Sequence, residues 1–329
     1  MSPPKHYLAI IDVGHGNSAF IKDEHTMLVI DAGPKSGLLE FLQQENINEI
    51  DTVLLSHADE DHIGGLLNLL DNGVIIHHVR LNSDASKDTK IWNDLTLSLS
   101  HYEKTKNLDW NNGLNASQKE QFIGGKTELE IIGPSTLLTT RGVGGKDRNG
   151  RIIRSNSLSA IFRLRRDGVP LVLFAGDMDV IALNEIIHEE SECKAPILIY
   201  PHHGGSAGAG KARDFVESLC DKVKPKMVVF SLGRSNKYNN PHPDVISSLR
   251  AVSEEIDIRC TQLSLNCSNK TPDADGSHLS NSFSSGRENN HCCSGTIIVD
   301  LDNTGSIVPA GKEHKKFIRS SVPVSLCLN

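Results

Sequence analysis

The residues most suited to chemistry lie close together between Ser56 and His62, in the stretch SHADEDH. An apolar run precedes this stretch and an amphipathic pattern follows it, which predicts a turn between a buried strand and a helix. In an extended turn, His57 and Asp59 point the same way and can bind one cation. Asp61 and His62, at the helix start, can bind a second cation nearby. Imidazole and carboxylate together suit zinc, manganese or iron better than calcium or magnesium.

The surrounding pattern predicts strands that alternate with helices, as in an αβ protein. In the first half, we expect strands at 7–13, 27–30, 52–56 and 74–80, and helices at 38–44 and 62–70. In the second half, we expect strands at 157–165, 170–175, 196–200, 226–230, 256–261 and 295–301, and helices at 179–189, 211–220 and 243–252. The polar stretch 82–127, with helices at about 91–102 and 116–122, is interpreted as an insertion that forms a lid or a substrate wall. Residues after 310 give no clear pattern.

Composition limits the class of protein. The chain has 329 residues, with 34 Lys and Arg against 41 Asp and Glu, and its formal net charge of −7 argues against a surface that coats nucleic acid broadly. No apolar run approaches the roughly 18 residues of a membrane span, so we expect no membrane partner. The apolar run near the N-terminus predicts a first strand and not an export signal. The modest number of cysteines, 7, favours reduced thiols and a cytoplasmic location.

The motif His57-x-Asp59-x-Asp61-His62, with a Gly-Gly pair at 64–65, resembles the signature of metallo-β-lactamase-fold hydrolases. With Asp at its second position, it is similar to the hydrolase domain of ComEC-type DNA-uptake competence proteins. Further segments follow in the order of that group: DVGHGNS at 12–18, LVIDAG at 28–33, NSL at 156–158, FAGD at 174–177, PHHGGS at 201–206 and NNPHP at 239–243. The resemblance implies a four-layer αββα sandwich with two mixed β-sheets. It also implies one domain over 1–329, with an insertion at about 82–127 and a long loop at about 268–291.

The resemblance also implies roles for individual residues. Asp177 would bridge two divalent metal ions, zinc or manganese. His57 and Asp59 would bind the first ion, and Asp61 and His62 the second. One of His202 and His203 would complete the second ion's ligands and the other would lie behind them, and spacing does not choose between the two.

The same resemblance separates the remaining site residues by function. The expected catalytic residues are Asp61, Asp177 and His242, the last at the rim, where it would bind a phosphate oxygen or protonate the leaving group. His15, which stands where the related motif has Gln, and Asp12 are expected to support the metal ligands from behind.

Two positions depart from the superfamily pattern. Many members carry a metal-binding His on the strand where this chain has Ser-Asn-Ser at 155–157, although the amide of Asn156 offers a weaker ligand. Asp59 also replaces a His. We therefore expect an oxygen-rich site that favours manganese or mixed occupancy over a tight zinc pair.

The predicted reaction follows from these ligands. Two cations about 3.5–4 Å apart hold a hydroxide between them, and cationic side chains would help to hold an anionic substrate. Arg148, Arg151 and Lys211 are the expected substrate-binding cations, with Asn156 beside them. We predict a metal-dependent phosphodiesterase, most simply a nuclease acting on DNA or RNA. The alternatives are a small-molecule phosphoester or lactone hydrolase, such as a phosphorylcholine esterase, and a non-catalytic regulatory relative.

Overall fold

The computed structural model describes residues 3–82, 84, 87–117, 125–208, 210–304 and 306–328. These residues form two mixed sheets. The strands of the larger sheet are β1 (Tyr7–Ile10), β2 (Ser18–Lys22), β3 (Met27–Ala32), β4 (Glu49–Leu55), β5 (Ile75–Leu81), β6 (Asp109–Asn112), β13 (Ile297–Asp300) and β14 (Ile307–Val308). Those of the smaller sheet are β7 (Thr127–Gly133), β8 (Ile161–Arg166), β9 (Val169–Phe174), β10 (Ile197–Ile199), β11 (Met227–Phe230) and β12 (Asp257–Cys260). The helices are α1 (Gly37–Gln44), α2 (Glu60–Asp71), α3 (Lys90–Lys106), α4 (Thr136–Arg141), α5 (Val180–His188), α6 (Ala212–Val223), α7 (Pro243–Val252) and α8 (Gly311–Ser321).

Each sheet combines antiparallel and parallel strands. The larger runs β14-β13-β1-β2-β3-β4-β5-β6 and is parallel from β3 to β6. The smaller runs β12-β11-β10-β9-β8-β7 and is parallel from β9 to β12. In both sheets the parallel strands are joined through helices, as crossover connections require.

Three apolar layers hold the fold together. Alternate residues of β1 show the arrangement, because Tyr7 and Ala9 pack towards α1–α3 whereas Leu8 and Ile10 face the other sheet. Strands buried on both faces are expected to be apolar throughout, and the burial of all four residues of β1 agrees with this. The second sheet in turn packs against α5–α8. The predicted four-layer αββα sandwich with two mixed sheets is confirmed.

Several predicted elements differ from those observed. The strand expected at 157–165 begins only at Ile161, because Ser155–Leu158 form a short 3-10 helix. The residues after 310 contain α8, and β2 was not predicted. Within 82–127, α3 packs on the first helix layer and β6 extends the larger sheet, whereas most of the helix predicted at 116–122 lies outside the described residues.

The remaining long stretch, 268–291, contains neither helix nor strand. It is nevertheless partly internal, since Ser280, Ser282 and Ser284 are buried. The division of the chain into one domain with an insertion stays a prediction. Across the described ranges, none of the helices is both long and apolar enough to cross a membrane.

Candidate metal centre

The site lies where the carboxyl ends of β4, β9 and β10 meet. His57 follows β4, and His62 lies in the first turn of α2. Both side chains are buried, and their ring centroids are 4.1 Å apart. The Nε2 atom of each ring is buried without a hydrogen-bond partner. Since buried polar atoms are almost always paired, two unpaired imidazole nitrogens in one place fit the donor atoms of a metal site.

The opposite nitrogen of each ring is held by the protein. His62 Nδ1 lies 2.7 Å from Asp31 Oδ2, and His57 Nδ1 lies 3.1 Å from Ser56 Oγ. Asp31 also accepts a hydrogen bond of 2.7 Å from the backbone N–H of Ser56 through Oδ1. A carboxylate that accepts the Nδ1 proton leaves Nε2 as the lone-pair donor, which is the usual arrangement behind a metal-bound histidine.

Asp31 was missed by the sequence interpretation, which used the LVIDAG stretch only as a strand. A signal was present in the sequence, because Asp31 is the one charged residue at the end of an apolar strand. In the structure its side chain is 2% exposed. Its φ of 56° is in the left-handed region, which Asp tolerates better than most residues. The backbone therefore turns the carboxylate inward towards α2.

Asp177 presents its two oxygens to different histidines. Oδ1 lies 3.4 Å from His62 Nε2, and Oδ2 lies 3.7 Å from His57 Nε2. The backbone N–H of Asp177 donates to Ser159 Oγ at 2.9 Å. This arrangement is that of a carboxylate placed to bridge two cations.

His202 holds Asp177 in this orientation from the opposite side. Its backbone N–H donates to Oδ1 at 3.1 Å, and its Nδ1 lies 3.3 Å from Oδ2. The carbonyl of His202 in turn accepts from Asn240 Nδ2 at 3.0 Å. Both oxygens of the carboxylate are thus fixed by one residue.

Two further carboxylates complete the cluster. Asp59 Oδ2 lies 3.6 Å from His57 Nε2. Asp61 Oδ2 lies 3.1 Å from His203 Nε2, and the other nitrogen of that ring lies 2.7 Å from the carbonyl of Ser231. His203, and not His202, therefore faces Asp61 at the position expected for the second cation.

The charges in the cluster are strongly coupled. Burial raises the pKa of Asp177, but the neighbouring His202 and His62 outweigh it and hold that pKa well below its usual range. Burial likewise opposes protonation of His62, yet Asp31 and Asp177 raise its pKa well above the ordinary value. Burial lowers the pKa of His57 to about 3, so this ring is neutral at pH 7.

Lys87 reaches the cluster from the polar stretch after β5. Its Nζ contacts Asp59 Oδ1, on the side of the carboxylate away from His57. Burial lowers the pKa of Lys87, and the charge of Asp177 opposes that shift. The sequence carries no local signal for this residue, which is one of several lysines in a segment of weak periodicity.

Two of the substrate-binding cations expected from the sequence are engaged elsewhere. Arg148 forms ion pairs with Glu185 in α5, at 3.1 Å, and with Glu189 directly after that helix, at 2.8 Å. Arg151 pairs with Asp147 at 2.6 Å. Both guanidinium groups already have carboxylate partners, so this geometry gives no support to their predicted role in substrate binding, which stays a prediction.

The other predicted residues lie around the site. Lys211 is exposed at the start of α6, and Asn156 lies in the short 3-10 helix before β8. His242 caps the start of α7 with an exposed ring, and its backbone N–H donates to the carbonyl of Gly204 at 2.8 Å. The roles of these three residues stay predictions.

Asp12 and His15 lie on the turn after β1. Asp12 is fully buried and accepts from Gln262 Nε2 at 2.9 Å and from the backbone N–H of Gly286 at 3.0 Å, so it anchors the turn. His15 projects from that turn towards the cluster, with its ring centroid 4.6 Å from that of His203. Burial lowers the pKa of His15 to about 4.

Comparison with known proteins agrees with this geometry. Residues 11–147 match the sequence profile of the metallo-beta-lactamase superfamily. The chain is similar to ComE operon protein 3 of Bacillus subtilis, with 22% identity over 276 residues, which cover 75% of this chain and 31% of that protein. It is also similar to Recombination protein 2 of Haemophilus influenzae, with 25% identity over 269 residues, which cover 78% of this chain and 28% of that protein.

The chain thus spans about a third or less of the length of these curated relatives. Among solved structures, Igni18, a metallo hydrolase from Ignicoccus hospitalis, matches with a TM-score of 0.42 and 17% identity over 77% of this chain and 94% of that one. Tm1679, a metal-dependent hydrolase of the beta-lactamase superfamily, matches with a TM-score of 0.46 and 17% identity over 78% of this chain and 96% of that one. The profile match and the two curated relatives confirm the resemblance noted in the sequence.

Proposed function

We propose that this protein, whose chain carries a domain of the metallo-β-lactamase superfamily, is a metal-dependent phosphodiesterase that cleaves nucleic acid. One observation carries the proposal: Asp177 directs one oxygen to His62 and the other to His57, at 3.4 Å and 3.7 Å. Because both Nε2 atoms are buried and unpaired, this arrangement fits two cations that share the carboxylate.

The donor set divides into two groups. His57, Asp59 and Asp177 Oδ2 would hold the first cation. Asp177 Oδ1, with Asp61, His62 and His203, would hold the second. When bound, a pair of zinc or manganese ions would lower the pKa of water towards neutrality and polarise the bond to be cleaved. His202 then keeps the bridging carboxylate in place through its two contacts.

Lys87 is the side chain best placed to hold an anionic substrate. It contacts Asp59 directly, so it lies at the edge of the first cation's donor set. A cation held by Asp59 would neutralise the carboxylate that Lys87 contacts, and the Lys87 ammonium would then be free to donate to a phosphate oxygen. A lysine acts here as a compact point charge, as in other phosphate sites. This supports a phosphodiester over a neutral amide.

An exposed aromatic side chain favours nucleic acid among phosphodiesters. Tyr238 is 58% exposed, with its ring 6.0 Å from that of His15 and therefore beside the second donor group. Lys237 Nζ lies 4.8 Å from the centre of the Tyr238 ring. An exposed ring beside a cation suits a stacked base and its flanking phosphate. The names of the relatives, a recombination protein and a ComE operon protein, are consistent with a nucleic-acid substrate.

A small phosphoester or lactone remains the second candidate. It is favoured by the engagement of Arg148 and Arg151 in ion pairs, which removes two of the cations that a basic groove would use. A non-catalytic role is disfavoured, because imidazole and carboxylate donors for two cations lie around Asp177 even without the strand histidine that many superfamily members carry.

The test is a substrate panel for metal-free protein reloaded with manganese or zinc. We expect cleavage of single- or double-stranded DNA or RNA, and of bis-p-nitrophenyl phosphate, with loss of both activities in Asp177→Asn. Lys87→Met should raise KM for the polymer at least tenfold, whereas Arg148→Met, the matched control, should leave it within about twofold. Cleavage confined to phosphorylcholine or a lactone would select the second candidate. Full activity in Asp177→Asn would refute metal-dependent hydrolysis at this site.

The location is part of the same proposal. All seven cysteines lie within the described ranges and all are unpaired. Six of them are buried, and burial raises the pKa of each of these six thiols. Reduced, unreactive thiols suit a reducing compartment, and we propose the cytoplasm.

A further inference from the structure

His15 carries two nitrogens that the fold leaves without partners. Both Nδ1 and Nε2 are buried and neither takes part in a hydrogen bond within the described structure. A ring nitrogen of His15, an oxygen of Asp61 and a nitrogen of His203 lie within 4.8 Å of one another. His62 and His203 each have one ring nitrogen held by the protein, since their Nδ1 atoms contact Asp31 and the carbonyl of Ser231. His15 differs from them because both of its ring nitrogens are available to a ligand.

The backbone around His15 is fixed against the same cluster. The backbone N–H of Asn17 donates to the carbonyl of Asp61 at 3.1 Å. Gly16 lies so close to Asp61 that a Cβ at this position would come within 2.4 Å of the same carbonyl oxygen. On the other side, a Cβ on Gly233 would come within 2.7 Å of the backbone nitrogen of His15. The turn is therefore held between α2 and the loop after β11, which keeps the imidazole beside Asp61.

We propose that His15 is a ligand of the second cation, together with Asp61, His62 and His203. The inference rests on the two-cation site of the proposed function and extends it. It replaces the expectation that His15 lies behind the ligands. A third imidazole at this cation makes its donor set richer in nitrogen than the motif at 57–62 alone indicates.

The consequence is a difference between the two metal positions. The first donor group has one imidazole among carboxylates, whereas the second has three imidazoles. Nitrogen donors favour zinc, and oxygen donors favour manganese. The second position should therefore take zinc in preference to manganese, and the first should discriminate less between them.

The test compares His15→Gln with the wild-type protein by metal binding. Gln has a similar length and its amide is a weak zinc ligand, so the turn is expected to be retained. We expect two zinc ions per wild-type chain by elemental analysis. In His15→Gln, chelator competition should show at least a tenfold loss of affinity for one of them. When the zinc is replaced by cobalt, the ion at the weakened position should show lower visible absorption because it loses a nitrogen ligand, and the ion at the other position should be unchanged.

His25→Gln is the matched control, since His25 is exposed and lies in the turn that follows β2. It should leave the stoichiometry, both affinities and the cobalt spectrum unchanged. Identical zinc affinities and cobalt spectra in His15→Gln and the wild type would overturn this inference and leave the proposed function intact. Two ions bound by the wild type without hydrolysis of any phosphodiester would overturn the proposed function and leave the role of His15 to be decided by the binding data.

Discussion

Asp31→Asn tests whether the carboxylate behind His62 sets the state of the metal ligand. The substitution keeps the shape of the side chain, and Asn tolerates the left-handed φ of 56° at this position. The Oδ1 atom can still accept from the backbone N–H of Ser56, as it does at 2.7 Å. The amide nitrogen, however, replaces the oxygen that lies 2.7 Å from His62 Nδ1. The N–H of His62 Nδ1 and the N–H of the new side-chain amide would then face each other.

The expected magnitude follows from that contact. His62 can avoid the clash by moving its proton to Nε2, but that nitrogen is the one directed at Asp177 and needed for the cation. A hydrogen bond to a charged group contributes about 1.5–3 kcal/mol, which corresponds to roughly 10–100-fold in an equilibrium constant. We therefore expect affinity for one of the two ions to fall by roughly 10–100-fold.

Zinc affinity, measured by chelator competition on metal-free protein, is the appropriate assay. Asp147→Asn is the control, because it makes the same chemical change at a buried carboxylate that binds Arg151 and loop N–H groups outside the metal centre. Circular dichroism should show both variants folded. Unchanged affinity for both zinc ions in folded Asp31→Asn would refute the reasoning that this contact controls His62.

Two further predictions concern stability. Gly65→Ala would place a Cβ 2.1 Å from the carbonyl oxygen of Ala32, whereas the nearest atom to a Cβ on Gly64 is 3.5 Å away. In urea unfolding, Gly65→Ala should therefore lose about 1–3 kcal/mol, while Gly64→Ala should be neutral or gain up to about 1 kcal/mol; equal effects would contradict the packing of α2 on β3. Burial, with Arg259 nearby, lowers the pKa of His314 to about 3, below the value of about 6.5 in an unfolded chain. Between the two pKa values the unfolded state therefore binds a proton that the folded state does not, so lowering the pH favours unfolding. From pH 6.5 to pH 5, the free energy of unfolding of the metal-free wild type should fall by about 2 kcal/mol more than that of His314→Asn. Parallel pH profiles of the two proteins would show that His314 is not buried as a neutral ring.

The parts predicted well from the sequence depend on short-range pattern. His57, Asp59, Asp61 and His62 lie on one strand-turn-helix unit, so their proximity follows from the ends of β4 and α2. The alternation of strands and helices could also be predicted from the sequence pattern, whereas the four layers were implied by the family resemblance. The motif placed Asp177 at a strand end, and the structure brings it to the two histidines.

The parts not predicted depend on contacts between distant segments. Arg148 and Arg151 occur near the motif segments in sequence, but their partners on α5 and at Asp147 become visible only in the folded chain. Lys87 is the converse case, since nothing in its local sequence distinguishes it from the other lysines of its segment. The choice between His202 and His203 likewise required the positions of Asp177 and Asp61.

The electrostatics of the centre would allow a chain of net charge −7 to bind the phosphate of the proposed substrate. Asp59, Asp61 and Asp177 lie together, with Lys87 against Asp59 and His62 against Asp177. Two divalent cations would bring four positive charges, which match these three carboxylates together with Asp31 behind His62. The loaded centre would then be net positive with Lys87 still beside it, so the attraction for an anion arises at the site itself. A basic surface is not needed for this, which is why pairing Arg148 with Glu185 carries no cost to substrate binding in the proposed mechanism.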